Sequence, residues 1–312
     1  MKLSIVATLY KSAPYLQEFC QRVSAVARQF ASDDYEIVLV NDGSPDDSLQ
    51  RAVALHQQDP HVTVVDLSRN FGHHKAMMAG LKQARGEIIF LIDSDLEEQP
   101  EWLLPFAERM LQEKTDVVYG VQEKRRGAFF EQMSGSIFYK AFRMLTGIEL
   151  PINLVTARVM SRRYVQALLQ HQEREMIISG LWVITGFKQA PQIIKKLSSS
   201  PTTYSFAKRL AYFVNAVTSF SSKPLVVTFY SGLGIFLTAL VFIAHLLIRY
   251  VFGAIPPDGY TSIIASIWLF SGLIIFFLGV QGIYISKLYS EVKQRPTAII
   301  RDIYDAKVTR HG

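Results

Sequence analysis

Short apolar runs alternate with amphipathic stretches through the first part of the chain. Leu3 to Thr8, Glu36 to Val40, Val62 to Leu67, Glu87 to Ile92 and Asp116 to Gly120 are brief, continuous and rich in Val, Ile and Leu. That is the pattern of strands buried on both faces. Between them apolar residues recur at helical spacing, most clearly Leu16, Phe19, Val23, Val26 and Phe30 in the segment from Pro14 to Phe30. Further helices are expected from Pro45 to about His56, capped by Ser44, from His73 to Ala84, and from Pro100 to Glu113. Strands alternating with helices of this length predict an α/β fold with a doubly wound, mostly parallel sheet.

The pattern changes after Gln122. The region to Ser200 is less regular and rich in cations, including Lys124, Arg125, Arg126, Lys140, Arg143, Arg158, Arg162 and Arg163. Thr202 to Ser222 sets Phe206, Leu210, Phe213, Val217 and Phe220 beside Lys208 and Arg209, which suits a helix lying in a membrane interface. Pro224 to Ile248 and Gly259 to Ser286 contain no charged residue. Each exceeds the roughly 20 apolar residues that cross a bilayer as a helix. Basic residues flank the pair: Lys208, Arg209 and Lys223 before it, Lys287, Lys293, Arg295 and Arg301 after it. The positive-inside bias then places both termini in the cytoplasm and the short loop between the helices outside. The expected division is a catalytic domain over 1–200, a juxtamembrane segment over 201–223, two transmembrane helices within 224–286 and a cytoplasmic tail over 287–312.

Composition sharpens this picture in three places. Hydrophobic residues make up 49% of the 312 residues and charged ones 19%, with the apolar excess in the last third, as two membrane helices require. The net charge of +6 calls for an anionic partner. No nucleic-acid-binding module is recognisable, so lipid and phosphate explain the charge better. The single cysteine, Cys20, rules out an internal disulfide and reads as a small core residue of the first helix. The apolar stretch from Leu3 to Val6 is too short for a signal peptide, so the bulk of the chain is expected to start in the cytoplasm.

Candidate chemistry gathers at strand ends. Asp93 and Asp95 close the run Ile88-Ile89-Phe90-Leu91-Ile92, at the carboxyl edge where open α/β sheets keep their ligands. Continued as a strand, the two carboxylates would share a face and repel unless a cation lay between them. A hard divalent ion, Mg²⁺ or Mn²⁺, with a phosphate as co-ligand answers that need. The plainer alternative has one Asp capping the next helix and the other solvated. Asp42 likewise ends a strand, and Gly43 after it permits a sharp turn. With Asp93 and Asp95 it outlines a pocket for a nucleoside diphosphate. Neither Gly-x-Gly-x-x-Gly after the first strand nor Gly-x-x-x-x-Gly-Lys-Ser/Thr occurs, which argues against a dinucleotide enzyme or a P-loop NTPase. His73 and His74 open a helix, where capping or surface exposure is the favoured reading.

Ser4-Ile5-Val6-Ala7-Thr8-Leu9-Tyr10, Val40-Asn41-Asp42-Gly43-Ser44-Pro45-Asp46, Arg69-Asn70-Phe71-Gly72 and Asp93-Ser94-Asp95-Leu96-Glu97 stand in the order and spacing of the family 2 glycosyltransferases. The chain most resembles the polyisoprenyl-phosphate group of that family, which includes dolichol-phosphate mannose synthases and bacterial undecaprenyl-phosphate sugar transferases. The resemblance continues through Gly180 to Phe187, Ser198 to Tyr204, Phe220 to Leu225 and the paired apolar helices. It implies a GT-A fold. Thr8, Tyr10 and Asp42 would hold the nucleoside, Asp93 would face the nucleotide, and Asp95 would bind the metal with Glu97 beside it. Arg125, Arg126 and Arg158 would clamp the lipid phosphate or the donor diphosphate.

The chain departs from the family's pattern in three places. Lys11 and Ser12 follow Tyr10 where a carboxylate is usual, Gln122 stands where relatives often carry Arg, and Thr156 occupies the place of an Asp proposed as a base. The expected activity is an inverting, metal-dependent transfer from a UDP-sugar to a polyprenyl phosphate on the cytoplasmic leaflet of the inner membrane, serving cell-surface glycans such as O-antigen. Extension of a lipid-linked saccharide, or non-catalytic binding of a nucleotide sugar, are the alternatives. The membrane helices also offer a surface for a homo-oligomer.

Overall fold

The computed structural model describes residues 1–123, 139–174, 177–195, 206–252 and 259–305. The chain divides into two compact units. The first comprises Met1–Tyr139, Ile148–Tyr204 and Arg295–Gly312, and the second Lys140–Gly147 and Ser205–Gln294.

The first unit is built on strands β1 (Leu3–Leu9), β2 (Tyr35–Asn41), β3 (Val62–Leu67), β4 (Ile88–Asp93) and β5 (Val117–Gln122). Helices α1 (Leu16–Ala31), α2 (Ser48–Gln58), α3 (His73–Gln83) and α4 (Leu103–Glu113) alternate with them. Then follow β6 (Leu154–Ser161), α5 (Arg162–Leu168), α6 (Ile178–Ile184) and β7 (Gln189–Ile194), and β8 (Ile300–Tyr304) comes from the end of the chain. The eight strands form one sheet in the order β7-β5-β6-β4-β1-β2-β3-β8. The β4-β1-β2-β3 block is parallel, and β5 pairs with β7 in parallel. β6 runs antiparallel to both β4 and β5, and β8 antiparallel to β3. The sheet is therefore mixed, with six strands running one way and β6 and β8 running the other.

Alternation along the strands decides what lies on each face. Ile5, Ala7, Leu9, Ile37, Leu39, Val64, Phe90 and Ile92 join Phe19 and Val23 of α1 and Leu103 and Phe106 of α4 in one core. On the other face α3 comes so close that a Cβ on Gly80 would lie 2.6 Å from Val6 Cγ1 and 2.7 Å from Val40 Cγ2. Cys20 is buried in α1, in keeping with a small core residue.

Two parts of the sheet correct the expectations from sequence. β6 carries Thr156 and a buried Arg158 in place of a plain apolar run, so its pattern reads as irregular. Of the tail expected over 287–312, residues 295–312 group with the sheet unit. There β8 covers the edge of β3, with Val65 opposite Ile303 and Asp66 opposite Asp302. Arg85 pairs with Asp305, and Arg301 Nη1 lies 3.5 Å from the buried Asp66.

The second unit holds helical residues 140–146 and helices α7 (Phe206–Phe220), α8 (Lys223–Val251) and α9 (Tyr260–Val292). α7 and α8 meet at a bend of 90°. Ser221 at the bend donates its hydroxyl to Leu145 O at 2.5 Å, and Lys223 Nζ donates to Met144 O at 2.8 Å. From α9, Tyr284 OH donates to Ser221 O at 2.6 Å, and Lys287 Nζ donates to Asn215 Oδ1 at 2.7 Å and Ser219 Oγ at 2.6 Å. Among the described residues, Ser266–Val292 is long and apolar enough by itself to cross a membrane, with a mean hydropathy of 1.9.

Candidate active site

β4, β1 and β2 lie side by side, and the order of connection reverses between β4 and β1. The crevice at the carboxyl ends of such strands is where open α/β sheets bind ligands. Register brings the candidates together: Thr8 is opposite Asp93 on β4 and opposite Val40 on β2, and Asp42 follows the end of β2.

Asp42 is 2% exposed and accepts the main-chain N–H groups of Phe71 at 2.7 Å and Gly72 at 3.1 Å. Burial raises its pKa, and these two donors with nearby His73 and Arg69 offset part of the rise. Its carboxylate thus holds the loop that leads into α3. Gly43 is required beside it: φ is +57°, and a Cβ would lie 2.4 Å from Asn70 N.

That loop delivers His73, the first residue of α3, into the crevice. His73 Nδ1 lies 3.0 Å from Thr8 Oγ1, and its Nε2 lies 3.3 Å from Asp93 Oδ1. Burial works to lower the imidazole pKa. The hydrogen bond to Asp93 and the charges of Asp93, Asp42 and Glu98 outweigh that, so the net shift is upward.

β4 ends at Asp93, which corrects the expectation that Asp93 and Asp95 share a strand face. Ser94 turns inward and donates to Thr8 O at 2.8 Å and to Ser12 Oγ at 2.9 Å. Asp95 is exposed on the following turn, where its Oδ1 accepts Glu97 N–H at 3.0 Å and Leu96 adopts φ +62°. Among the described residues, no group of three His, Cys, Asp or Glu side chains is arranged to hold a metal ion. An exposed carboxylate at the crevice fits a hard divalent cation that draws most of its oxygens from a bound diphosphate.

Tyr10 is half exposed on the loop after β1. Tyr10 N donates to Ser12 Oγ, and Lys11 N to Ser44 Oγ at 2.8 Å. Asp46 organises this loop, because its Oδ1 accepts the hydroxyls of Ser44 and Ser48, each at 2.5 Å, and its Oδ2 accepts Ala13 N–H at 3.2 Å. Burial acts to raise the Asp46 pKa, but these hydrogen bonds prevail and bring it down to about 2. The unfolded value is about 3.9. A depressed folded pKa stabilises the fold above the unfolded pKa, and that contribution is lost as pH falls through the folded pKa. Asp46→Asn is therefore expected to lower the melting temperature at pH 7 and progressively less as pH drops from about 4 toward about 2, measured by thermal unfolding.

Arg158 lies inside the sheet at 1% exposure. Its guanidinium donates to Thr156 O at 3.0 Å and Val155 O at 3.1 Å and covers the ring of Trp182. Burial pushes its pKa down, while the charges of Glu98 and Asp93 are among those that push it back up. Glu98 is fully buried and accepts Thr156 N–H at 3.0 Å, joining the turn after β4 to β6. Thus Thr8, Asp42, Asp93 and Asp95 gather at the crevice, whereas the Arg158 side chain is enclosed by the protein. Arg125 and Arg126 lie outside the described residues. Sequence reasoning underrated His73 and did not single out Asp46 or Glu98. The signal for Asp46 was present, in a Ser-x-Asp-x-Ser spacing that lets one carboxylate serve two hydroxyls.

Comparison with known proteins bears on what this crevice does. The family model described as "Glycosyl transferase family 2" matches residues 4–169. The chain is 48% identical over 309 residues to a protein of Mycobacterium tuberculosis (strain CDC 1551 / Oshkosh) described as a glycosyltransferase, covering 99% of this chain and 90% of that one. It is 30% identical over 317 residues to the undecaprenyl-phosphate 4-deoxy-4-formamido-L-arabinose transferase of Shewanella sediminis (strain HAW-EB3), covering 99% of this chain and 94% of that one. Among solved structures, the mannosyltransferase PcManGT from Pyrobaculum calidifontis in complex with GDP-Man and Mn²⁺ aligns with a TM-score of 0.48 at 16% identity, over 95% of this chain and 88% of that one.

Proposed function

Because this chain belongs to glycosyl transferase family 2, we propose that it moves a sugar from a UDP-sugar to a polyprenyl phosphate, of the undecaprenyl type, at the cytoplasmic leaflet of a membrane. The observation that carries the proposal is the exposed carboxylate of Asp95, set beside Asp93 at the carboxyl edge of a glycosyltransferase sheet. The acceptor class is supported by the undecaprenyl-phosphate transferase that aligns along 99% of the chain.

Thr8 and Tyr10 would contact the nucleoside, and Asp42 would shape that pocket through the main chain of Phe71 and Gly72. Asp95, with Glu97 beside it, would hold Mg²⁺ or Mn²⁺, whose charge would stabilise the departing diphosphate. Arg125 and Arg126 remain the proposed clamps on phosphate, whereas Arg158 would act from beneath as buried positive charge near Asp93 and Glu98. An oxygen of the acceptor phosphate forms the new bond to the anomeric carbon with inversion. The bond from that carbon to the donor phosphate breaks, and UDP carries away the electron pair.

A phosphate monoester is already anionic at neutral pH, its second pKa being about 6. It needs no side-chain base, so Thr156 in the family's Asp position is compatible with turnover. Thr156→Val is expected to keep kcat within about threefold of wild type, since removing a true general base costs about 10²-fold or more. Steady-state rates with undecaprenyl phosphate check this. A larger loss would favour a hydroxyl acceptor and extension of a lipid-linked saccharide.

The membrane assignment draws on chain connectivity. The sheet contains strands on both sides of residues 205–294 in sequence, so any passage of that segment through a bilayer returns to the starting side. Two crossings by α8 and α9, with both termini cytoplasmic and α7 in the interface, satisfy this requirement. The exposed Phe229, Leu233, Phe236, Trp268, Ile275 and Phe276 would then meet lipid. Incubating the purified full-length protein with radiolabelled UDP-sugars, Mg²⁺ and undecaprenyl phosphate tests the proposal. A lipid-linked sugar on thin-layer chromatography is expected from one donor, and none from any common donor would refute it.

A further inference from the structure

The His73 side chain does more than begin a helix. Gly72 before it has φ +100° and gives its N–H to Asp42, which anchors the loop to the end of β2. The imidazole then spans from Thr8 on β1 to Asp93 on β4, at 3.0 Å and 3.3 Å. Gly72 and His73 together thus tie all three strand ends of the crevice, the main chain to Asp42 and the ring to Thr8 and Asp93. A carboxylate only accepts, so Nε2 carries a proton toward Asp93. Nδ1 then accepts the Thr8 hydroxyl proton when the ring is neutral and donates to that oxygen when the ring is charged.

Building on the donor-site assignment above, we infer that His73 is a positioning residue for the nucleotide, fixing the Asp93 carboxylate and the Thr8 hydroxyl at the separation the donor meets. Without the ring, each side chain loses one of its ties and gains rotamer freedom that donor binding must then remove. The loss falls on the binding of nucleotide rather than on the chemical step, because the ring touches the donor's contacts and not the bond that breaks.

The two nitrogens can be tested separately. A glutamine amide reaches roughly the Nε2 position and an asparagine amide the Nδ1 position. The Asp93 contact is the longer, 3.3 Å against 3.0 Å, but it faces a carboxylate, so losing its charge attraction is expected to cost more than losing the Thr8 bond. In the full-length protein, His73→Ala is expected to raise the donor KM and the Kd for UDP with Mg²⁺ by about tenfold, with kcat changed less than about threefold. His73→Gln is expected to recover most of that affinity, and His73→Asn much less.

Ala within twofold of wild type, Asn matching or exceeding Gln, or a loss confined to kcat would each overturn the inference. If His73→Ala does not fold, the Gln and Asn variants, which keep a polar side chain in the ring's place, decide the question. Calorimetry with UDP keeps the two levels apart. A wild type that binds no UDP would defeat the donor assignment and this inference with it, whereas a wild type that binds UDP beside unaffected His73 variants would defeat the inference alone.

Discussion

Asp95→Ala is expected to lower kcat by about 10³-fold or more, on the order of 4 kcal/mol of transition-state stabilisation. The size follows from what the carboxylate would do. If the cation takes most of its oxygens from the diphosphate, losing its main protein anchor removes both the charge and the fixed geometry at the leaving group. The same change should leave the fold almost untouched. Asp95 is exposed, and it accepts the N–H of Glu97 within its own turn. The melting temperature without nucleotide should stay within about 2 °C of wild type, as expected of a surface substitution. Steady-state rates and thermal melts on one preparation check both halves. A variant equally impaired in rate and in stability would show instead that Asp95 holds the turn together.

Removal of residues 295–312 is expected to have the largest effect on stability. β8 supplies the hydrogen-bonding partner for β3, and Arg301 within it and Asp305 just after it form ion pairs with Asp66 and Arg85. Two contributions compete for the explanation. Each ion pair joins a half-exposed guanidinium, Arg301 at 54% and Arg85 at 42%, to a buried carboxylate, and solvent at the cation holds its contribution to about 1 kcal/mol. Ladder hydrogen bonds contribute about 1 kcal/mol net apiece, and several are lost together. The truncated chain should therefore be less stable by about 3 kcal/mol or more, a fall of roughly 10 °C for a domain of this size. It should also aggregate readily, because the unpaired edge of β3 becomes a template for other strands. Arg85→Ala combined with Arg301→Ala should cost less than about 2 kcal/mol. If the double variant matched the truncation, charge rather than strand pairing would hold the terminus.

Much of the fold is legible from hydrophobic pattern, for a physical reason. β1 to β4 lie in the middle of the sheet, so they are covered on both faces and their runs are mostly apolar, with only a few buried polar residues such as Ser4, Glu36 and Asp66. β7 contains Pro191 and exposed residues, and β8 is five residues long with Arg301 and Asp302 inside it, so neither pattern separates from that of a loop. Arg158 misleads for a different reason. A cation on an irregular stretch reads as solvated or as a phosphate clamp, and its burial depends on Trp182 and two carbonyl oxygens brought to it by packing. At the site, Asp42, Asp93 and Asp95 were legible because each follows or ends a recognisable strand. The role of His73 was not, since it depends on the crossover from β3 to β4 that carries the start of α3 over β1.

A structure of the full-length protein with UDP and Mn²⁺ bound measures the central claim most directly. A cation about 2 Å from a carboxylate oxygen of Asp95, the usual distance for a hard divalent ion, and bridging to the diphosphate beside Asp93 is the expected result. A cation and diphosphate bound away from both of these side chains would contradict it.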